Sequence, residues 1–323
     1  MPDGYDVIGD IHGYAEELKA LLMKLGYEER SGAFRHSARA AVFIGDYIDR
    51  GPANLEVVRI VRSMVDAGSA QALMGNHEYN AIGYHTPNSE EDGTHLRRHT
   101  EKNVKQHQAF LNEQSALPGE ASDALNWFRS LPILFEVDGA QFAHAAWHQP
   151  TVNMIKPLLN DDFSLPEAFL LSSFRKDTEE DRAIETLLKG PEYCLPNSFG
   201  SFKDKDGNER TEIRIAWWKS PTSGTQLGLQ EASIGVPGGS NLANEPIPIE
   251  AFDGYDNKEH ANATFFGHYW MTGTPRPLAP NIACVDFSVA RRGGQLICYR
   301  WEGERLLKSE KFVGVRSSAK EQT

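Results

Sequence analysis

Short apolar runs alternate with amphipathic helical patterns through the first third of the chain. The runs at residues 5–9, 40–45 and 70–75 predict three buried β-strands. Between them, apolar residues at helical spacing predict two helices, one over residues 15–25 and one with Asn54 as its N-cap. This alternation predicts a mainly parallel sheet with helices packed on its faces.

The pattern changes after the third predicted strand. Residues 85–131 are polar, and helical patterns near 97–113 and 122–130 predict a helical insertion. Residues 133–143 predict a hairpin with Asp138 in its turn. The simple alternation of strand and helix therefore ends before residue 85.

Patterns are weaker in the second half of the chain. Residues 150–260 predict an irregular decoration, helical in part over 150–210, with a loop rich in Pro, Gly and Asn at 233–249. Apolar runs then predict closing strands at residues 263–266, 282–286, 296–301 and 306–313. We expect one domain over residues 1–316 and a frayed tail over 317–323.

Composition narrows the class of protein. Lys and Arg number 33 against 45 Asp and Glu, a formal charge of −12, which argues against general nucleic-acid binding because that needs a basic face. No apolar run approaches the roughly 18 residues needed to span a bilayer, and the first residues lack a secretory signal pattern. The three cysteines are too widely spaced for a disulfide framework. We therefore expect a cytoplasmic protein without membrane contact.

Polar side chains follow each of the three predicted strands. The segments are Gly-Asp-Ile-His-Gly at 9–13, Gly-Asp-Tyr-Ile-Asp-Arg-Gly-Pro at 45–52 and Gly-Asn-His-Glu at 75–78. Ligands of open α/β sheets bind outside the carboxyl ends of the strands, so we expect these segments to meet. Their carboxylate and amide oxygens and imidazole nitrogens suit Mn²⁺, Fe or Zn²⁺ rather than a soft copper site.

Two further histidines follow predicted strands. His144 comes after the second strand of the hairpin, and His268 comes after the strand at 263–266. Taken singly, residues of these types more often serve turns or a core than a metal. Metal-ligand residue types at five strand ends together favour a metal site.

The ordered set GDIHG, GDYIDRG, GNHE, a lone histidine and GH resembles the signature of the calcineurin-like metallophosphoesterases. Within that family it resembles the branch of the phosphoprotein phosphatases, of bacterial or phage type, and the symmetrical diadenosine tetraphosphate hydrolases. The motifs fall within residues 4–286. The resemblance implies an α/β four-layer sandwich, in which two mixed β-sheets pack face to face with helices outside and the metal site at one edge. The segments 85–131 and 150–260 are expected to decorate that edge, near the active site.

The resemblance also implies a site for two divalent transition-metal ions, Mn first, with Fe, Zn or Ni as alternatives. Asp10 and His12 would hold the first ion, and Asp46 would bridge both. The other ligands of the second ion would be Asn76, His144 and His268. A hydroxide that bridges the ions would attack phosphorus directly, without a phospho-enzyme.

Three residues are implied to act in catalysis. His77 would protonate the leaving oxygen, and Asp49 would hold the imidazolium in position. Arg50 would bind two phosphate oxygens through its planar guanidinium. The candidates for a second phosphate-binding arginine are Arg175, Arg214 and Arg291.

The chain departs from the family pattern at three positions. Trp270 stands where a second histidine often follows the Gly-His pair, which implies more water on the first ion. Met74 stands where an arginine usually precedes Gly-Asn-His-Glu. Ala146 stands where a glycine usually follows the lone-histidine motif.

Other conspicuous residues have structural interpretations that we favour. A solvated helix, rather than a third metal site, is the default for four histidines: His85, His95, His99 and His107. His148 is interpreted as a loop residue rather than an extra ligand. Trp217 and Trp218 could stack a nucleobase, but core packing is favoured. Residues 204–208 resemble part of a calcium loop without its closing glutamate, and a hairpin turn is favoured.

Three functions remain open from the sequence. The first is hydrolysis of phosphomonoesters, with a protein phosphorylated on serine or threonine as the first expected substrate. The second is cleavage of a phosphoanhydride in a nucleotide or dinucleoside polyphosphate, over which the insertion and the 233–249 loop could form a partial lid. The third is an inactive interaction scaffold, which we disfavour because no ligand position has been lost.

Overall fold

The structure, a computed structural model, describes residues 2–137, 139–195, 201–203, 209–220, 227–234, 246–255 and 261–319. The α-helices in this part are α1 (Ala15–Leu25), α2 (Asn54–Asp66), α3 (Asn76–His85), α4 (Glu101–Ala116), α5 (Pro118–Arg129), α6 (Gln149–Ile155), α7 (Glu167–Ser173), α8 (Glu179–Lys189) and α9 (Leu229–Ala232). None of the helices in these ranges combines the length and the apolar character needed to cross a lipid bilayer.

The strands of the described part precede, separate and follow these helices. They are β1 (Gly4–Ile8), β2 (Glu28–Arg30), β3 (Ala33–Arg35), β4 (Arg39–Phe43), β5 (Ala70–Ala72), β6 (Leu134–Val137), β7 (Ala140–Ala143), β8 (Glu192–Cys194), β9 (Phe202–Lys203), β10 (Glu209–Arg210), β11 (Glu212–Ile215), β12 (Ser233–Ile234), β13 (Ala263–Phe266), β14 (Ile282–Cys284), β15 (Asp286–Phe287), β16 (Gln295–Trp301) and β17 (Phe312–Arg316).

Two mixed sheets form the centre of the fold. The larger has the order β15-β16-β1-β4-β5, with β17 also paired to β16. In it β1, β4 and β5 run parallel, whereas β16 is antiparallel to β1. The smaller has the order β14-β13-β7-β6, in which β14, β13 and β7 run parallel and β6 closes the hairpin with β7. Every strand that precedes a predicted metal-ligand segment is therefore in a parallel array.

The two sheets pack face to face through alternating side chains. Val7 and Val42 of the larger sheet meet Phe142 and Phe265 of the smaller sheet in one buried cluster. Phe266, the next residue after Phe265, points to the opposite face and packs in a separate aromatic cluster. This period of two is what a strand buried on both faces requires, and the predicted sandwich of two mixed sheets is confirmed.

Helices cover the outer face of the larger sheet. Leu18, Leu21 and Leu22 of α1 pack with Val61 of α2 and Phe43 of β4 in one cluster of buried residues. These leucines lie at the helical spacing that the sequence shows, so the predicted amphipathic faces of both helices are confirmed.

Two of the closing strands differ from the prediction. The run at 282–286 is divided between β14 of the smaller sheet and β15 of the larger sheet, so the chain crosses the sandwich at the buried Val285. The run at 306–313 becomes a strand only from Phe312, because Leu307 leaves the strand path to fill the core between the sheets. An apolar run reports burial, and burial alone does not distinguish a strand from a covering loop.

Helix α3 follows β5 directly and was not predicted. Every residue from Asn76 to Tyr84 is buried in it, so the segment has no polar face and no helical periodicity for the sequence to show. Arg97, in the insertion, donates a hydrogen bond to Asn80 of this helix (2.7 Å). Tertiary contacts on all sides therefore specify α3.

The predicted helical insertion packs into the main core. Phe110 of α4 and Trp127 and Phe128 of α5 belong to the same buried cluster as the helices of the first third. Its helices therefore share one core with α1 and α2, which supports our proposal of a single domain over 1–316.

The segment predicted as irregular and partly helical contains helices and a small sheet. Helices α6, α7 and α8 and the three-stranded sheet β12-β11-β8 occupy much of the described part of 150–260. Residues 235–245 of the 233–249 loop, and residues 204–208, lie outside the described residues. In the tail, Ser318 donates to Glu17 of α1 through its backbone N–H (2.7 Å) and its hydroxyl, so this part of the tail is bound rather than frayed.

Glu113 of α4 caps helix α2 from outside. The cap position of α2 is Ala53, which has no side-chain acceptor, and Asn54 is the first helical residue rather than the predicted cap. The Glu113 carboxylate instead accepts the backbone N–H groups of Asn54 (2.7 Å) and Leu55 (2.9 Å). A carboxylate at a helix N-terminus satisfies unpaired donors and complements the helix dipole.

We therefore predict that Glu113→Ala destabilises the protein by about 1–2 kcal/mol, the usual cost of losing a helix cap. The free energy of unfolding in urea measures this, with the exposed Lys105→Ala on the same helix as the matched control. Equal stabilities of the two variants would contradict the capping role.

Candidate active site

Five strand ends converge at one edge of the sandwich. Asp10 follows β1, Asp46 follows β4, Asn76 opens α3 after β5, and His144 and His268 follow β7 and β13. Backbone hydrogen bonds join these ends: the N–H of His12 donates to the carbonyl of Asp46 (2.8 Å), and the N–H of Gly267 donates to the carbonyl of His144 (2.8 Å). The structure thus brings the segments together as the sequence predicts.

The backbone of the site adopts unusual conformations. Five of the predicted site residues have positive φ angles between 48° and 72°, and these are His12, Asp46, Asp49, Arg50 and His268. Each left-handed residue costs on the order of 1 kcal/mol, although Asp and His tolerate this region better than most. Such strain is typical of functional sites, because the surrounding structure must hold it in place.

Glu78 holds the turn that carries Asp46. It is buried, and one of its carboxylate oxygens accepts the N–H groups of Asp46 (2.8 Å) and Gly75 (3.0 Å), while the other accepts that of Tyr47 (2.8 Å). Burial and the neighbouring Asp46 raise the pKa of Glu78 to about 7. This glutamate ends the Gly-Asn-His-Glu motif, and its role is visible only in the folded chain.

The imidazoles of His12 and His144 are oriented alike. Their Nδ1 atoms donate to the carbonyls of Ile48 (3.0 Å) and Ile44 (2.9 Å), and these hydrogen bonds turn each Nε2 towards Asp46. These Nε2 atoms lie 3.6 Å and 3.4 Å from different oxygens of Asp46, and that of His12 is buried without a hydrogen-bond partner. Metal-binding histidines are held in this way in proteins, by a second ring nitrogen that donates to a carbonyl.

Asp46 belongs to two groups of possible metal ligands. One contains His12 and His77, and the other contains His144 and His268. In the second group, the Asn76 amide oxygen lies 3.1 Å from His144 Nε2 and 2.8 Å from His268 Nδ1. A shared carboxylate between two donor sets is the arrangement a two-metal site needs.

Negative charge is concentrated around Asp46. Burial alone would lower the pKa of His144, but Asp46 and Asp10 outweigh it and raise that pKa to about 10. Burial and the neighbouring Asp286 raise the pKa of Asp10 well above its ordinary value. The cluster therefore favours added positive charge, and its oxygen and nitrogen donors fit divalent transition-metal ions.

Asp10 lies beside the two groups rather than within them. Its carboxylate accepts the backbone N–H of His268 (3.1 Å), and Gly267 leaves room for it, since a Cβ there would lie 2.1 Å from Asp10 Oδ1. Asp286, which the sequence analysis did not single out, accepts the N–H groups of Trp270 (2.6 Å) and Ser288 (2.9 Å) and so holds the turn after His268.

The predicted pair of His77 and Asp49 is formed. His77 Nδ1 lies 2.6 Å from Asp49 Oδ2, and His77 Nε2 faces Asp46 Oδ2 at 3.9 Å. A third residue, which the sequence analysis placed on a solvated helix, joins them: His107 of α4 is buried, and its Nδ1 lies 2.8 Å from Asp49 Oδ1. Burial alone would raise the pKa of Asp49, but hydrogen bonds from His107 and His77 outweigh it and hold that pKa well below its ordinary value.

The candidate arginines occupy different places. The Arg50 guanidinium lies 3.9 Å from the centroid of Trp270, and that of Arg291 lies 5.8 Å from the same ring. Arg214 of β11 donates to His268 Nε2 (3.0 Å). Arg175 pairs with Glu90 on the surface and is not brought to these residues. The site edge therefore holds three guanidinium groups.

The favoured structural interpretations are confirmed for the tryptophans and for His148. Trp217 and Trp218 are buried in an aromatic cluster with Phe266 and cannot stack a ligand in this position. His148 lies in the loop directly before α6, and its Nε2 is 3.0 Å from the backbone carbonyl oxygen of Asp253. Trp270, which the sequence showed only as a departure from the family pattern, packs beside Arg50 and His12 at the site.

The four histidines of the insertion do not form a group of metal ligands among the residues described. The expected solvated face is wrong for His107, because its ring packs on Phe110 (4.9 Å between centroids) and reaches Asp49. His95 and His99 stack on each other (4.1 Å) further out.

The chain is similar to named phosphatases in sequence and in fold. The chain is 24% identical over 304 residues to the symmetrical bis(5'-nucleosyl)-tetraphosphatase of Proteus mirabilis, covering 93% of this chain and 94% of that protein. It is 47% identical to the asymmetrical bis(5'-nucleosyl)-tetraphosphatase PrpE of Halalkalibacterium halodurans, but over only 74 residues, 30% of that protein's length. A protein serine/threonine phosphatase from Saccharomyces cerevisiae shares the fold, with a TM-score of 0.52 at 14% identity, covering 100% of this chain and 82% of that one.

A family model extends over most of the chain. The model of the calcineurin-like phosphoesterases matches residues 5–268, which include every predicted ligand and catalytic residue. The protein belongs to the calcineurin-like phosphoesterase family and is a hydrolase of that metal-dependent family.

Proposed function

We propose that the protein hydrolyses phosphoric esters or anhydrides at a centre for two divalent metal ions. The observation that carries this proposal is the position of Asp46, whose two oxygens face the Nε2 atoms of His12 and His144 at 3.6 Å and 3.4 Å. Asp10 would complete the first set, and the second would be completed by Asn76 and His268. Two bound ions would supply a water of lowered pKa and would neutralise charge on the phosphate.

The chain's own residues would position the substrate and move one proton. His77 would donate from Nε2 to the leaving oxygen, because its Nδ1 is held by Asp49 and only Nε2 faces the metal ligands. Arg50 would bind phosphate oxygens, since its guanidinium lies 3.9 Å from the Trp270 centroid and its Nε is buried without a hydrogen-bond partner. A binding-only scaffold is disfavoured because these side chains converge.

For the substrate we propose a dinucleoside polyphosphate. The relatives that align over 93% of the chain bear names of enzymes acting on such molecules. Arg50, Arg214 and Arg291 lie around one site, and several guanidinium groups suit a substrate with several phosphates. The phosphoprotein substrate that the sequence first suggested is the second candidate, because Trp270 stands where the protein phosphatase branch also lacks a histidine.

The metal and the compartment complete the proposal. We propose Mn²⁺ as the first choice of metal, with Fe, Zn²⁺ or Ni²⁺ as alternatives, since the donor set of oxygens and imidazoles accepts each of them. We also keep a cytoplasmic location, which fits three unpaired cysteines, two of them buried.

The first prediction concerns metal content. Asp46→Asn is expected to lose most bound metal, because it weakens both ligand sets, whereas His77→Asn is expected to retain metal and lose turnover about a hundredfold or more. Elemental analysis of proteins reconstituted with Mn²⁺ measures the content. Full metal content in Asp46→Asn would contradict the shared-ligand role.

The second prediction concerns the bond that is cleaved. With Mn²⁺, the protein is expected to hydrolyse diadenosine tetraphosphate faster than a phosphothreonine peptide, with His77→Asn as the contamination control. Separation of the nucleotides identifies the mode, because ADP alone indicates symmetrical cleavage and ATP with AMP indicates asymmetrical cleavage. Preference for the peptide would make the second candidate the function.

The third prediction concerns the outer arginine. Arg291→Ala is expected to raise the KM for diadenosine tetraphosphate about tenfold, the equivalent of one lost charge-assisted contact, and to leave that for 4-nitrophenyl phosphate nearly unchanged. Arg175→Ala, a surface arginine paired with Glu90, is the matched control. Equal KM values for Arg291→Ala and the parent protein would remove Arg291 from the substrate site.

A further inference from the structure

The insertion contributes a continuous line of polar side chains to the catalytic pair. His85 Nε2 lies 3.3 Å from His107 Nε2, and His107 Nδ1 lies 2.8 Å from Asp49 Oδ1. Asp49 Oδ2 in turn lies 2.6 Å from His77 Nδ1. The line runs from the end of α3 through α4 to the residue that we propose as the proton donor.

The carboxylate of Asp49 determines the direction of the two hydrogen bonds that it makes. An ionised Asp49 can only accept, so both His77 and His107 must donate to it from Nδ1. The other ring nitrogen of His107, Nε2, lies against Nε2 of His85. Burial and the neighbouring His107 lower the pKa of His85 to about 4, so His85 is neutral at pH 7.

The two oxygens of Asp49 have separate partners. If His107 were absent, Oδ1 would be a buried anionic oxygen without its donor, and the carboxylate could turn towards His77 or rotate away from it. With both donors present, the plane of the carboxylate is defined from two sides. The orientation of the His77 ring, and so of its Nε2, depends on that plane.

The position of His107 is itself fixed. Its ring packs on Phe110 (4.9 Å between centroids), and the same helix is anchored to the start of α2 by Glu113. The segment between Asp49 and Asn54 is therefore held at both ends by α4. A helix that only covered the surface would need neither contact.

We propose that His107 is a positioning residue. It holds Asp49 through Oδ1, the oxygen that His77 does not contact, and so orients His77 for proton donation. This inference rests on the proposed role of His77 as the acid. It makes the insertion part of the catalytic apparatus, not only a cover over the cleft.

The test uses two aryl phosphates that differ in their need for an acid. The 4-nitrophenolate of 4-nitrophenyl phosphate leaves readily without a proton, whereas the phenolate of phenyl phosphate requires one. Loss of a general acid therefore lowers kcat much more for phenyl phosphate. The ratio of the two kcat values measures the acid step, and a merely structural loss does not change it.

Two conservative variants separate the two nitrogens of His107. The amide of Asn replaces Nδ1–H, so His107→Asn is expected to stay within about threefold of the parent kcat on both substrates. The amide of Gln replaces the Nε2 position and leaves Asp49 Oδ1 without its donor. His107→Gln is therefore expected to lose about tenfold to a hundredfold in kcat on phenyl phosphate and under about threefold on 4-nitrophenyl phosphate.

Controls distinguish orientation from packing. His95→Gln changes another histidine of the insertion in the same way, and Lys105→Ala changes an exposed residue of α4 without touching Asp49. Both are expected to leave the ratio of the two kcat values unchanged. Metal content and the melting temperature are measured for every variant, so that a loss of metal or of fold is recognised.

The outcomes separate this inference from the proposed function. If His77→Asn shows the leaving-group effect and His107→Gln does not, His107 has no positioning role and the proposed function stands. The same conclusion follows if Asn and Gln at position 107 behave alike. If His77→Asn shows no leaving-group effect, the acid role of His77 and the positioning role of His107 are both overturned.

Discussion

The structure depends most on the burial of the Asp46 carboxylate at the junction of two sheets. Burial alone would raise its pKa, but His144 and His77 outweigh that effect and hold it well below its ordinary value. A buried charge is tolerated only when hydrogen bonds and opposite charges surround it. The left-handed turn at Asp46, the Glu78 carboxylate under that turn and the imidazoles on either side are the parts that meet this requirement.

The insertion shows how a peripheral element can become part of a site. Helix α4 contributes His107 and Glu113, six residues apart, and they hold the segment between Asp49 and Asn54 at both ends. The same helix buries Phe110 in the main core. The packing of Phe110 in the core therefore fixes the position of α4 and of its polar side chains. Their contacts stabilise the strained conformation of the segment between Asp49 and Asn54.

Aromatic residues at the site illustrate the limit of reasoning from residue type. The adjacent Trp217 and Trp218 attract attention as base-stacking residues, yet both are buried against Phe266 behind the smaller sheet. Trp270 lies beside Arg50 instead, and Asp286 holds the turn that places it there. Exposure decides whether a tryptophan can bind a ligand, and exposure is a property of the folded chain.

The sequence by itself determined the parallel strands and the meeting of Asp10, Asp46, Asn76, His144 and His268, whereas the sandwich of two sheets was implied by the resemblance to a family. It could do so because each of these residues follows an apolar run, and parallel strands bring their carboxyl ends to one edge. Tertiary structure alone decided the partners that come from distant segments, such as His107 for Asp49 and Arg214 for His268. It also decided helix α3, which is buried on every side. Local patterns record which face of an element is buried, but the residue that meets that face is chosen only when the elements pack.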